Sequence, residues 1–259
     1  MTINLSKDNV GVIERGVYYF ALSDEQDITI SELKDILAFI KYEKMYGRET
    51  KIACQNENIL ATVNHAILNP ETIENAVLPA HGAFIYHATS IEAMKKILSS
   101  GKLLSAVKVY GKTGSELALN KSDSTWNDPA DYFEHIMFCW GDNPTGDYVV
   151  LSENFPNEND LIKGNFNAGI RFYFRYEDMC HHPGYTDDGY HATKIKDEIV
   201  LSDYFYACIV PEQYRNELKE YDFPQLMSKV HYLPQKGLGL AEWNEKAYDF
   251  VSMLPAGNV

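Results

Sequence analysis

Hydrophobic positions recur along this chain with two periods, and the period changes near residue 80. The segment 10–22, VGVIERGVYYFAL, is rich in Val, Ile, Tyr and Phe, with glycines at 11 and 16, and reads as one or two short strands. Thr29-Ile30-Ser31-Glu32 is a capping-box pattern, in which a Thr hydroxyl accepts from the third amide and the Glu reaches back. Leu33, Ile36, Leu37 and Ile40 follow at helical spacing, and Gly47 supplies a stop. Ile59, Leu60, Val63 and Ile67 form the face of a second helix that Asn69-Pro70 ends. PETIENAV, with Pro70 at a natural helix start, reads as a third turn. Residues 1–80 are therefore expected to be a mostly helical region.

Beyond that point the period shortens toward two. AFIYHA (83–88) reads as a strand, and Thr89-Ser90-Ile91-Glu92 as a second capping box with Thr89 as its cap. The helix it opens turns Ile91, Met94 and Ile97/Leu98 inward and ends at Gly101. Strand signals then come in series at 135–140, 147–152, 169–176, 198–202, 205–211 and 229–233. A final helix aligns Leu240, Trp243, Ala247, Phe250, Val251 and Leu254. Two polar stretches, 108–131 and 178–195, read as long loops, and loops of that length usually act as lids or recognition surfaces. Helices come first, then strand–helix, then mostly strands. Without strand–helix alternation a doubly wound parallel sheet is disfavoured, and an α+β fold with a mixed or mainly antiparallel sheet in 81–259 fits better.

The chain has 259 residues, 45% of them hydrophobic and 13% aromatic, which is a globular composition. No apolar run approaches the ~20 residues of a membrane span. The first twenty residues lack a basic stretch followed by an apolar one, so no classical signal peptide is visible and a cytosolic setting is expected, reached in its own cell or by delivery into a host. The net charge of −14 repels phosphate backbones, and no basic cluster offsets it: KYEK (41–44) and MKK (94–96) read as solvated helix faces. A nucleic-acid partner is disfavoured, although a local positive pocket could hold a small anion. Cys54, Cys139, Cys180 and Cys208 show no CxxC spacing and read as buried free thiols of a reducing compartment.

Two segments combine residue types that carry chemistry. FIYHATSIEAMKKILSSGKLLS (84–105) sets His87 and Thr89 at the open end of a strand, against a helix N-terminus with exposed amides. Lys196-Asp197-Glu198 leads straight into IVLSDYFYACIVP, with a carboxylate at the start of a buried strand. Cys180-His181-His182 and His191 fit no standard zinc spacing, and Asp187-Asp188-Gly189 lacks the rest of a calcium loop, so no metal is expected. GxGxxG, Walker A, GxSxG and HExxH patterns do not occur.

Together the two segments resemble the ADP-ribosyltransferase superfamily, in its His-Tyr-Glu branch of diphtheria-toxin-like and PARP-like enzymes. The matching features are His87-Ala88-Thr89 followed by SIEAMKKILSSGKLL, an aromatic strand within 132–151, and Glu198 followed by ACIVP. The layout, including DYFEHIMFCWGDNP, is also similar to the DarT group of bacterial toxins. The resemblance covers about residues 83–211 and implies a split, mixed or antiparallel sheet. It departs from the family at two places: the usual Gly between His and Ser/Thr is Ala88, and Lys196 stands where arginine-specific members carry Gln or Glu.

The resemblance implies that NAD+ is the substrate and that a macromolecule, a protein rather than a nucleic acid, is the acceptor, in a toxin, effector or phage-defence setting. Glu198 would be the catalytic carboxylate, contacting the ribose to stabilise an oxocarbenium or take the acceptor's proton. His87 would bond a ribose hydroxyl, the Ala88 backbone the carboxamide, and Thr89 would add a hydroxyl or simply cap the helix. Tyr148 is the first choice for stacking on nicotinamide, with Tyr132 and Phe138 as alternatives. A catalytically silent module that binds protein through its acidic surface, or an NAD+ glycohydrolase on the same scaffold, are the competing expectations.

Overall fold

The computed structural model describes residues 1–74, 82–120, 128–151, 156–219 and 226–255. The chain divides into two compact units. The first comprises residues 1–80 together with 127–131 and 187–191, and the second comprises the remainder.

The first unit opens with β1 (Thr2–Ser6), β2 (Val12–Glu14) and β3 (Val17–Ala21), then α1 (Ile30–Met45), β4 (Lys51–Cys54), α2 (Glu57–Leu68) and α3 (Glu71–Glu74). Its four strands are ordered β2-β3-β1-β4, with β1 parallel to β3 and β4 and β2 antiparallel to β3. The region is a small α/β layer rather than a mostly helical one. Strands β1 and β4 are five and four residues long and carry too few apolar positions to stand out, but each gains its hydrogen bonds from a partner distant in sequence. Ile3 and Leu5 of β1 pack with Phe20, Leu33, Ile36, Phe39, Ile59 and Val63. The Thr29 capping box forms as expected: Glu32 N donates to Thr29 Oγ1 at 3.2 Å and Thr29 N to Glu32 Oε2 at 2.7 Å.

The two outlying segments are bound within this unit by specific contacts. Asp131 accepts from Tyr42 and from Arg48, whose guanidinium also pairs with buried Glu43. Gly189, at φ +61°, lies so close to α1 that a Cβ there would sit 1.9 Å from the Asp35 carbonyl oxygen. Only glycine satisfies both the backbone angle and the approach.

The second unit runs β5 (Phe84–Thr89), α4 (Ile91–Ser100), β6 (Lys102–Leu104), α5 (Ala106–Tyr110), α6 (Gly114–Ala118), β7 (His135–Trp140), α7 (Thr145–Leu151), α8 (Glu158–Lys163), β8 (Ile170–Arg175), α9 (Tyr176–Cys180), β9 (Tyr185–Thr186), β10 (Thr193–Lys196), β11 (Glu198–Val200), α10 (Leu201–Tyr204), β12 (Phe205–Pro211), α11 (Arg215–Leu218), β13 (Val230–Leu233) and α12 (Leu240–Met253). Seven strands form a sheet in the order β13-β12-β8-β5-β7-β10-β9, antiparallel throughout except for the β12–β13 pair. A separate two-stranded ribbon joins β11 to β6. The unit is α+β with a mixed, mainly antiparallel sheet.

Period-two alternation divides the sheet's side chains between two cores. On one face Ile85, Phe138, Phe172, Phe174 and Ile195 meet Met94 and Leu98 of α4. On the other, Tyr86, Tyr173, Ala207 and Ile209 meet Trp243, Ala247 and Val251 of α12. Arg171 lies fully buried on this second face. Its guanidinium forms a double ion pair with buried Asp147, donates to Tyr173 Oη at 3.0 Å and to Asn244 Oδ1 at 2.9 Å, and stacks 4.6 Å from the Tyr86 ring centroid.

Several expectations change. The described part of the 147–152 segment is not a strand: 145–151 are helix α7, begun by the Asn143 side chain, which accepts from Thr145 N at 2.9 Å. A strand there would have sent Val149 and Val150 to opposite faces; the helix instead delivers Asp147 to Arg171. The stretch from 108 to 120 is not an open loop but carries the end of α5 and all of α6, started by a Thr113–Glu116 capping box. The stretch 178–195 contains β9 and most of β10, whose Thr193, Lys194 and Ile195 are fully buried. Residues 75–77 of the expected third turn, residues 121–127 and Ser152 lie outside the described residues. All four cysteines are free thiols, but only Cys208 is buried while Cys54, Cys139 and Cys180 are partly exposed, and no described helix is long and apolar enough to cross a membrane.

Candidate functional site

Strand direction determines where the singled-out residues lie. Both β5 and β10 pair antiparallel with β7, so they run parallel to each other and finish at the same end of the sheet. His87-Ala88-Thr89 ends β5. Glu198 follows β10 by two residues, on the β11–β6 ribbon beyond that end.

His87 occupies a regular position opposite Phe172. Its Nδ1 lies 3.1 Å from the Met137 carbonyl oxygen, and its ring lies 6.1 Å from that of Phe138. A carbonyl only accepts, so Nδ1 carries the proton and Nε2 of the neutral ring is an acceptor. Desolvation holds the imidazole below its usual pKa, with the Met137 contact opposing it. Ala88 pairs with Arg171 in ordinary strand geometry, so its methyl needs none of glycine's conformational freedom. Thr89 is buried, paired with Ile170, and is not the helix cap. That role falls to Ser90, whose Oγ accepts from Ala93 N at 3.2 Å.

The approach to Glu198 is built from backbone. Asp197 has φ +66°, one of two described non-glycine residues at positive φ. Its amide donates to the Glu134 carbonyl at 2.9 Å and its carbonyl accepts from Ser105 N at 2.8 Å. These bonds hold a left-handed turn that Asp tolerates better than most residues, and the turn carries the chain out of the main sheet onto the ribbon. The Glu198 carboxylate is 42% exposed and accepts from Lys102 Nζ at 2.8 Å. The Lys102 hydrogen bond, followed by the charges of Lys102 and Lys108, holds its pKa below the usual glutamate value. Lys108 Nζ lies 3.9 Å from Asp197, and Lys196 Nζ 3.4 Å from Glu134.

The aromatic candidates separate by burial. Phe138 is 1% exposed and packs edge-on to Phe174 at 5.3 Å, so it belongs to the core and is closed to a ligand. Tyr132 is 3% exposed and its face is covered by Lys194 Nζ, 3.5 Å from the ring centroid. Tyr148 is 40% exposed, but on helix α7 rather than at a strand start. A cavity of about 470 Å³ lies beside the start of α4, lined in part by Ser90, Glu92, Asn165, Asn167, Tyr214 and Glu217. Burial raises the Tyr214 pKa, and the Glu217 and Glu92 carboxylates add to it. None of His87, Tyr148 and Glu198 lines that cavity. Among the described residues no cluster of three His, Cys, Asp or Glu side chains is arranged to hold a metal ion.

Sequence reading missed Lys102 and Lys108, because a lysine after a helix-ending glycine, or one at the start of a polar stretch, is indistinguishable from a solvated one. It also missed the Arg171–Asp147 pair, although an arginine inside the apolar run GIRFYF was a readable signal. No family model, no curated protein and no solved structure matches the chain.

Proposed function

We propose that this chain is an NAD+-dependent ADP-ribosyltransferase acting on a protein acceptor, with Glu198 as its catalytic carboxylate and His87 as a ribose-binding residue. The observation that carries the reading is the shared direction of β5 and β10: two strands ending at one end of the sheet carry or lead into the His and the Glu. The strained, backbone-clamped Asp197 immediately before Glu198 adds to it, since strain of this kind concentrates at functional positions.

In this reading the nicotinamide–ribose C–N bond breaks with its electron pair leaving on neutral nicotinamide. The acceptor's nucleophile forms the new bond to the same ribose carbon. Glu198, ionised at neutral pH, stabilises the positive charge that develops on the ribose and takes the proton the acceptor loses. His87 Nε2 accepts from a ribose hydroxyl and orients the sugar. Tyr148 remains the aromatic candidate for nicotinamide, and the nearby Ala88 and Thr89 would add backbone or hydroxyl contacts.

The test is Glu198→Gln. The substitution keeps the shape of a partly exposed side chain and removes its charge, so the fold should persist while nicotinamide release from NAD+, followed chromatographically, is lost. Near-wild-type turnover would remove Glu198 from the mechanism. The closed faces of Phe138 and Tyr132 and the Lys102-neutralised carboxylate favour a second reading, a catalytically silent protein-binding module. Wild-type protein that releases no nicotinamide with or without cell lysate would establish that reading. Release without lysate would indicate a glycohydrolase.

A further inference from the structure

The Lys102–Glu198 pair raises a difficulty for any role of Glu198 in stabilising a cation: an ammonium already sits 2.8 Å from the carboxylate. In the β6–β11 ribbon Lys102 faces Val200 and Glu198 faces Leu104, so Lys102 and Glu198 are diagonal neighbours on one ribbon face. Both side chains are partly exposed, where water screens the attraction and leaves the pair easy to exchange. Lys108 lies within electrostatic reach of the same carboxylate. Lys108 also lies 3.9 Å from Asp197, so the two lysines are balanced by two carboxylates, but both pairs are partly exposed and a doubly charged anion can compete for their ammonium groups. A flexible, three-donor ammonium is a point-charge phosphate ligand.

Resting on the dinucleotide reading above, we propose that Lys102, assisted by Lys108, is an exchangeable counter-ion. It holds Glu198 in the empty site and moves to the diphosphate when the dinucleotide binds. The exchange frees the Glu198 carboxylate to face the ribose only when substrate is present. No covalent step is involved, since one ammonium changes partners between two anions.

The test titrates the full chain with ADP-ribose, which keeps the diphosphate and lacks the scissile bond, and with adenosine, which lacks the phosphates. Calorimetry gives affinity, and NMR of the Glu198 side-chain carboxyl gives its pKa with and without ligand. Lys102→Met should bind ADP-ribose about tenfold more weakly, the loss of one charge-assisted contact, with adenosine binding unchanged. ADP-ribose should raise the Glu198 pKa in wild type, because its ammonium leaves, and raise it less in Lys102→Met, where only the charge of the diphosphate acts. Wild-type affinity in Lys102→Met, or a Glu198 pKa indifferent to ADP-ribose in wild type, overturns the exchange while the dinucleotide reading stands. Failure of wild type to bind ADP-ribose overturns both.

Discussion

Removing Arg171 alone should be among the most damaging single changes in the second unit. Its guanidinium and the Asp147 carboxylate are both inaccessible to water. Arg171→Met would leave Asp147 buried without its counter-charge and would also unpair Tyr173 Oη and Asn244 Oδ1 from their donor. Breaking one side of a buried pair costs about 3–5 kcal/mol. For a chain of this size that is a fall in Tm of roughly 6–20 °C, at 2–4 °C per kcal/mol. Replacing both partners together, Arg171→Met with Asp147→Leu, removes the stranded charge and adds apolar packing against Tyr86 and Trp243. Such swaps are often neutral or stabilising. The double variant should therefore recover most of the loss, giving a coupling of at least about 2 kcal/mol in a double-mutant cycle. Urea unfolding followed by tryptophan fluorescence measures it, since fully buried Trp243 lies 5.8 Å from the guanidinium. A loss below ~1 kcal/mol for Arg171→Met, or additive losses in the double variant, would refute the account of this network as a buried, mutually dependent pair.

Three further outcomes follow from the structure. Burial, with the charges of Asp187 and Glu32 adding to it, pushes the Asp35 carboxyl up to about 7. The folded state therefore binds this proton more tightly than the unfolded state, and the group costs stability above pH 7 that is regained as pH falls toward 4. Asp35→Asn should raise Tm at pH 8, with the gain shrinking by pH 5. Gly189→Ala should destabilise the first unit by roughly 2–5 kcal/mol, combining positive φ with overpacking against the Asp35 carbonyl, as read by hydrogen exchange of the α1 amides. His87 has its pKa lowered, chiefly by desolvation, so the unfolded state binds its proton more readily. Stability contributed by the neutral ring should fall as pH drops through the unfolded value near 6.5, and His87→Ala should abolish that part of the pH dependence while weakening ADP-ribose binding.

Local signals in the sequence determined those elements whose ends carry their own chemistry. The Thr29 box started α1, Gly101 in the left-handed region ended α4, and β5, β8 and β12 were legible as apolar runs because their residues are buried on both faces. The order of the candidate residues, His87 then Glu198, was legible as well. What only tertiary structure decided depends on partners far away in sequence. Strand β4 exists through pairing with β1, and β1 through pairing with both β4 and β3. The 145–151 segment became a helix despite its valines, carrying Asp147 to Arg171 twenty-four residues later. Lys102 stands beside Glu198 only because β6 and β11, ninety-six residues apart, share a ribbon. Burial likewise withdrew Phe138 and Tyr132 from the ligand-binding candidates, since a sequence records that a ring is aromatic but not which atoms cover its face.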